Sequence, residues 1–176
     1  QSIVNKIDEL RSVACDLKPD VIMINESWTN TNITKVYLTV DGYNLVSRKD
    51  RVDTSNGRGG GLLIYAKANL VVEELDNRSL FNQYASASIS TLSKAPLIFT
   101  LVYRSPISLR ENNDLLNDLV KSTKKSSLII GDMNYSGIDW ANCYSNTAGI
   151  NFFTASQEAF LDQHVDFPTH EGNVID

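Results

Sequence analysis

Histidine, cysteine and methionine are scarce in this chain of 176 residues, at two apiece. His164 and His170 have no partner at metal-ligand spacing, so a surface or packing place is expected for both. Cys15 and Cys143 match no zinc motif either and read as free thiols in a reducing compartment. Long apolar runs are missing: none approaches the ~20 residues needed to cross a bilayer. No basic-then-apolar leader opens the chain, which argues against secretion and for an intracellular place, nuclear or cytoplasmic, with no membrane partner. The sequons at Asn25, Asn32, Asn77 and Asn134 are accordingly read as chance. Repeats, low-complexity tracts and linkers are absent as well.

What is present is ordinary for a folded domain. Apolar residues make up 42% and charged residues 21%, values that argue against disorder. The length suits one domain with a real core. A net charge of −5 counts mildly against a nucleic-acid binder. Yet positive charge gathers in Arg48, Lys49, Arg51 and Arg58, and again in Lys121, Lys124 and Lys125. A divalent metal in an acidic cluster can also bring phosphate to a chain that is negative overall. The chain opens on Gln1 and stops at Val174-Ile175-Asp176, which reads as the start of another strand. The expectation is one domain over 1–176, incomplete at both ends and cut from a longer polypeptide.

Apolar periodicity predicts the elements. Ile3, Ile7, Leu10, Ala14 and Leu17 recur at helical spacing behind Ser2 as N-cap, and Pro19 closes that helix. Strands are expected at 21–25, 43–48, 61–66, 71–75, 84–90, 95–102 and 127–130. Further helices are expected at 113–120 and 156–161, a loop with a short helical turn at 28–38, and an extended run at 165–168. Many strands with a few helices suggest an α/β or α+β sandwich.

Three of these strands run straight into polar groups that a core has no use for. They end in Asn25-Glu26, in Tyr103-Arg104 and in Gly131-Asp132-Met133-Asn134. Such strands read as buried on both faces, so their C-terminal ends can present side chains together at one sheet edge. Each group has a plainer reading. Asp-x-Asn after a strand is often only a turn, although Gly131 lets the backbone bend sharply there. A lone glutamate is usually solvated, although Glu26 suits Mg²⁺, which takes one or two protein carboxylates. Tyr103 reads equally as a rim tyrosine with its hydroxyl in water. Gly57-Arg58-Gly59-Gly60-Gly61 lacks the Lys-Ser/Thr ending of a nucleotide P-loop and enters a strand rather than a helix. It reads as a flexible loop whose Arg58 approaches a nucleic-acid backbone.

Taken in order, these segments resemble the endonuclease/exonuclease/phosphatase superfamily, closest to the apurinic-type endonuclease domain of non-LTR retrotransposons. The resemblance is carried by Ser2–Lys6, Lys18–Ile22, Asn25-Glu26-Ser27-Trp28, Gly42-Tyr43-Asn44 and Arg58–Tyr65, then by Val102–Pro106, Ile130–Tyr135, Ile138-Asp139-Trp140 and Val165–Thr169. It covers nearly the whole chain. It implies two mixed β-sheets packed face to face with flanking helices, a four-layer sandwich, here with edge strands missing. It implies that Glu26 holds Mg²⁺ (Mn²⁺ as an alternative), Asp132 orients or deprotonates the attacking water, and Asn134 bonds the scissile phosphate. Tyr103 would assist at the phosphate or leaving group, and Asp176 would orient a catalytic histidine. Arg58 and Arg104 would meet nucleic acid. The family's asparagine-bearing first strand and its closing Ser-Asp-His strand have no counterpart in the sequence.

The function implied is Mg²⁺-dependent phosphodiester hydrolysis of DNA, by an endonuclease domain that nicks a target and leaves a 3′-hydroxyl. Its partners would be DNA and a reverse transcriptase domain of the same polyprotein. Two alternatives stand beside it: a phosphatase of the same superfamily, and a non-catalytic remnant that only binds nucleic acid.

Overall fold

The computed structural model describes residues 2–51, 59–75, 79–91, 94–124, 126–169 and 174. Ser2 accepts a hydrogen bond from the Val4 amide and starts a short 3₁₀ turn, which runs into helix α1 (Ile7–Leu17). The helix ends at Lys18, whose left-handed φ of 47° turns the chain toward Pro19 and strand β1 (Val21–Ile24). A second 3₁₀ turn at Lys35–Leu38 follows the polar loop. The remaining elements are β2 (Tyr43–Lys49), β3 (Leu62–Lys67), β4 (Val72–Leu75), β5 (Tyr84–Thr91), β6 (Lys94–Tyr103), α2 (Arg110–Lys121), β7 (Ser127–Asp132), β8 (Ile138–Asp139), β9 (Tyr144–Ser145) and α3 (Ile150–Glu158).

Two sheets form the body. One has the order β1-β3-β2 and is antiparallel throughout. The other has the order β4-β5-β6-β7, antiparallel except for the parallel β6–β7 pair. A parallel pair cannot be closed by a tight hairpin, and α2 supplies the crossover between its two strands.

Side-chain alternation along each strand divides the core into three. Leu62 and Ile64 of β3 meet Ala85, Ala87, Phe99, Leu101 and Tyr103 between the sheets. Leu63 and Tyr65, one residue out of phase, face Ile3, Ala14, Leu38 and Val40 on the α1 side. Val102 faces the opposite layer, with Leu116 and Val120 of α2 and Phe152 and Phe153 of α3. The result is the expected four-layer sandwich of helix, sheet, sheet and helix. Each fully buried Leu or Phe contributes ~1.5–3 kcal/mol of burial free energy.

Two expectations are corrected. β1 and β7 are the outer strands of their sheets among the described residues, not strands buried on both faces. All four residues of β1 are half-buried, and Leu128 and Ile130 of β7 are each 42% exposed. The third helix lies at Ile150–Glu158 rather than 156–161, because Phe152, Phe153, Ala155 and Ser156 form its buried face and Gly149 precedes it. The run 165–168 lies outside every helix and sheet, as an irregular segment. No helix among the described residues is long and apolar enough to cross a membrane, and both cysteines are exposed free thiols.

Candidate active site

The parallel β6–β7 register pairs Tyr103 with Asp132, so both strands deliver their last residue to the same end of the sandwich. Gly131 makes that approach possible. At its φ of +149°, an added Cβ would lie 1.9 Å from the Val102 carbonyl oxygen, so only glycine fits there. From the other sheet, β1 pairs with β3, and the pairing continues past the strand through Ser27 N–H to Gly61 O (3.0 Å) and Trp28 N–H to Gly60 O (3.1 Å). This carries Glu26 over the mouth between the sheets. The Tyr103 hydroxyl donates to Glu26 Oε1 at 2.6 Å, joining residues 77 apart in sequence.

Asp132 and Asn134 form a compact turn. Asp132 Oδ1 accepts the Asn134 N–H at 3.0 Å, and Asn134 Nδ2 donates to the Arg104 carbonyl at 2.8 Å. An amide nitrogen carries two hydrogens, so one remains after that bond is made. Glu26 and Asn134 both hold left-handed φ values of 51°. Non-glycine residues rarely adopt this conformation, and such strain gathers at functional sites.

The Tyr103 phenol is pushed well above its ordinary pKa by burial first, then by the hydrogen bond to Glu26 and the charges of Glu26 and Asp132. It stays protonated at any pH near neutrality and so keeps its O–H to donate. Gly59 sits against this pair: an added Cβ would come within 3.1 Å of the Tyr103 hydroxyl and 3.3 Å of Glu26 Oε1.

Among the described residues, no group of three or more His, Cys, Asp and Glu side chains is placed to hold a metal. What does fit a hard divalent ion is oxygen chemistry around one carboxylate. Glu26 is exposed, and the side-chain Oδ1 of Asn25, the residue before it in the chain, is buried with no hydrogen-bond partner. Orphaned buried acceptors are uncommon, and an unfilled ligand position is one reason for them.

Of the residues singled out from sequence, Glu26, Tyr103, Asp132, Asn134 and Arg104 meet here. Arg58 and Asp176 lie outside the described residues, as does His170; His164 is exposed. Arg104 differs from the expectation that it reaches nucleic acid. It is 7% exposed, and its guanidinium donates to Asn113 Oδ1 and to the carbonyls of Met133 and Asn134 while lying 4.0 Å over the Tyr135 ring. It holds the turn that carries Asn134. The basic segment is also partly structural, since Arg48 pairs with Asp50 and donates to the carbonyls of Asn30 and Ile33. Lys121 pairs with Glu158. Sequence reasoning missed Gln83. Its buried side chain accepts the Gly61 N–H at 2.8 Å, and its carbonyl accepts the Tyr103 N–H at 3.0 Å.

The sequence model described as the Endonuclease/Exonuclease/phosphatase family matches residues 3–169. No curated protein matches the chain. Among solved structures, the endonuclease domain of TRAS1, a telomere-specific non-LTR retrotransposon, superposes with a TM-score of 0.59 at 15% identity, over 95% of this chain and 74% of that one. The 3′ phosphatase NExo from Neisseria, a variant bound to product DNA hairpin, gives 0.57 at 12% identity over 90% of this chain and 67% of that one. At such identities the two likenesses establish the fold alone.

Proposed function

Because this chain belongs to the endonuclease/exonuclease/phosphatase family, we propose that it is a divalent-metal-dependent phosphodiesterase that cuts DNA, as the endonuclease domain of a non-LTR retrotransposon polyprotein. The observation that carries the reading is the Tyr103–Glu26 bond of 2.6 Å, which ties the two sheets together directly beside Asp132. A structural tyrosine and a solvated glutamate have no need to meet there.

Glu26 would hold Mg²⁺ or Mn²⁺, with the unpartnered Asn25 Oδ1 as a candidate further oxygen ligand. When bound, the ion supplies neutralising charge for a phosphoryl oxygen. Asp132 accepts a proton from the attacking water as its oxygen bonds to phosphorus. Asn134 offers its remaining amide N–H to a non-bridging oxygen, steadying the charge that gathers there. Tyr103, held protonated, donates to Glu26 or, with substrate bound, at the phosphate or leaving group. The P–O3′ bond breaks, the O3′ atom takes a proton from solvent, Asp132 returns its own to solvent, and the products are a 3′-hydroxyl and a 5′-phosphate. Arg104 acts through Asn134 by fixing its turn. A 3′-hydroxyl of this kind would prime a reverse transcriptase domain in the same polyprotein.

A supercoiled-plasmid nicking assay in Mg²⁺ and in EDTA, with wild type and Asp132→Ala, tests this. Nicking is expected only from wild type with metal. Equal nicking by both proteins contradicts the reading. Release of phosphate from a 3′-phosphorylated hairpin without plasmid nicking would turn the assignment to a phosphatase.

A further inference from the structure

Gln83 is a buried polar residue, 7% exposed, at the end of the β5–β6 pair. It touches both halves of the sandwich. Its backbone carbonyl accepts the Tyr103 N–H at 3.0 Å, inside its own sheet. Its side-chain Oε1 reaches across and accepts the Gly61 N–H at 2.8 Å, at the entry to β3 of the other sheet. Gly60 and Gly61 in turn receive the Trp28 and Ser27 amides, which flank Glu26 on its C-terminal side. Gly59, at the end of this arm, lies against both Glu26 Oε1 and the Tyr103 hydroxyl.

The geometry points to Gln83 as a positioning residue: by holding the Gly59–Gly61 arm to the start of β5, it keeps Glu26 and Tyr103 in contact across the mouth of the sandwich. Three glycines in a row make an arm with unusual backbone freedom. Without a fixed anchor, the arm and the turn hydrogen-bonded to it would drift by ångströms, and misplacement of about 1 Å can cost ~10²-fold in rate. The hold itself stands on these bonds; its effect on hydrolysis rests on the function proposed above.

The test compares Gln83→Met, which keeps the size and removes the acceptor, and Gln83→Asn, which is too short to reach Gly61, with Gln83→Glu, which keeps the acceptor. Three quantities are read at fixed pH: amide exchange at Gly61, Ser27 and Trp28; the Tyr103 ring ¹³Cζ resonance, with Glu26→Ala, which removes the acceptor, as reference; and kcat and KM for plasmid nicking. In the Met and Asn variants, exchange at the three amides should be about tenfold faster or more. Their Tyr103 resonance should move to its position in Glu26→Ala, and kcat should fall roughly 10- to 100-fold with KM little changed. Gln83→Glu should restore all three. Wild-type exchange and resonance in the Met and Asn variants overturn the hold. A loosened arm with unchanged kcat overturns the positioning role. Should the wild type fail to hydrolyse DNA, the proposed function falls, while exchange and resonance still decide the hold. If Gln83→Met does not fold, Gln83→Asn carries the comparison.

Discussion

At the scale of single residues, the site depends on a few side chains held in uncommon states. Asp132→Asn keeps the acceptor for the Asn134 amide but cannot take a proton from water. Its nicking rate should fall by about 10²- to 10⁴-fold while its melting temperature stays close to wild type. Gly131→Ala drives a methyl group into the Val102 carbonyl at a left-handed φ, and should cost about 3 kcal/mol or more in a denaturant melt. Tyr65 gives a pH signature away from the site. It is fully buried and donates to the Leu38 carbonyl at 2.9 Å, and burial pushes its pKa from 10.0 up to about 12. A raised pKa means that the stabilisation is intact below pH 10 and is lost as pH climbs from 10 through about 12. Over that window, the stability of Tyr65→Phe should fall less steeply than that of wild type, by about 1.4 kcal/mol per pH unit. Parallel slopes in urea melts would contradict this.

At the scale of elements, two loops are built differently from their appearance in sequence. Glu26, Tyr103, Asp132 and Asn134 were legible because each follows an apolar run of strand length, and strand ends are where polar groups leave the core. Arg104 is buried against expectation for a physical reason. An arginine beside a tyrosine at a strand end looks available to phosphate, yet its planar fork bonds two backbone carbonyls and Asn113 while its face stacks on Tyr135. Only tertiary contacts reveal that. Gln83 left no signal because its partner is a backbone amide 22 residues away, and any residue type carries one. The early start of α3 was hidden by the polar, glycine-bearing stretch before it, while the two aromatics on its buried face mark the true beginning. Arg104→Lys keeps the charge and loses the fork. It should destabilise the protein by about 1–3 kcal/mol and slow nicking. The slope of log affinity for DNA against log salt should not change, since no phosphate contact is lost. A slope shallower by about one unit would return Arg104 to the nucleic-acid surface.

At the scale of the molecule, the two sheets act as separate platforms that meet at one end, and each brings part of the chemistry. The outer strands are the weak point of this plan. Ile129 of β7 packs toward the helical layer, which leaves Leu128 and Ile130 on the other face, each 42% exposed. An exposed apolar outer strand invites association with other chains. Leu128→Lys should raise the soluble fraction on concentration and lower stability by no more than about 1 kcal/mol. Unchanged aggregation, followed by light scattering, would show that self-association arises elsewhere.

The central claim is that Glu26 from one sheet and Asp132 from the other serve a single hydrolytic centre. A double-mutant cycle on Mg²⁺-dependent plasmid nicking addresses it most directly, using Glu26→Gln, Asp132→Asn and the two combined. Groups that act as one unit are strongly non-additive, so the double variant should nick at about the rate of the weaker single variant. Losses that multiply across the cycle, or single variants as active as wild type, would contradict the account.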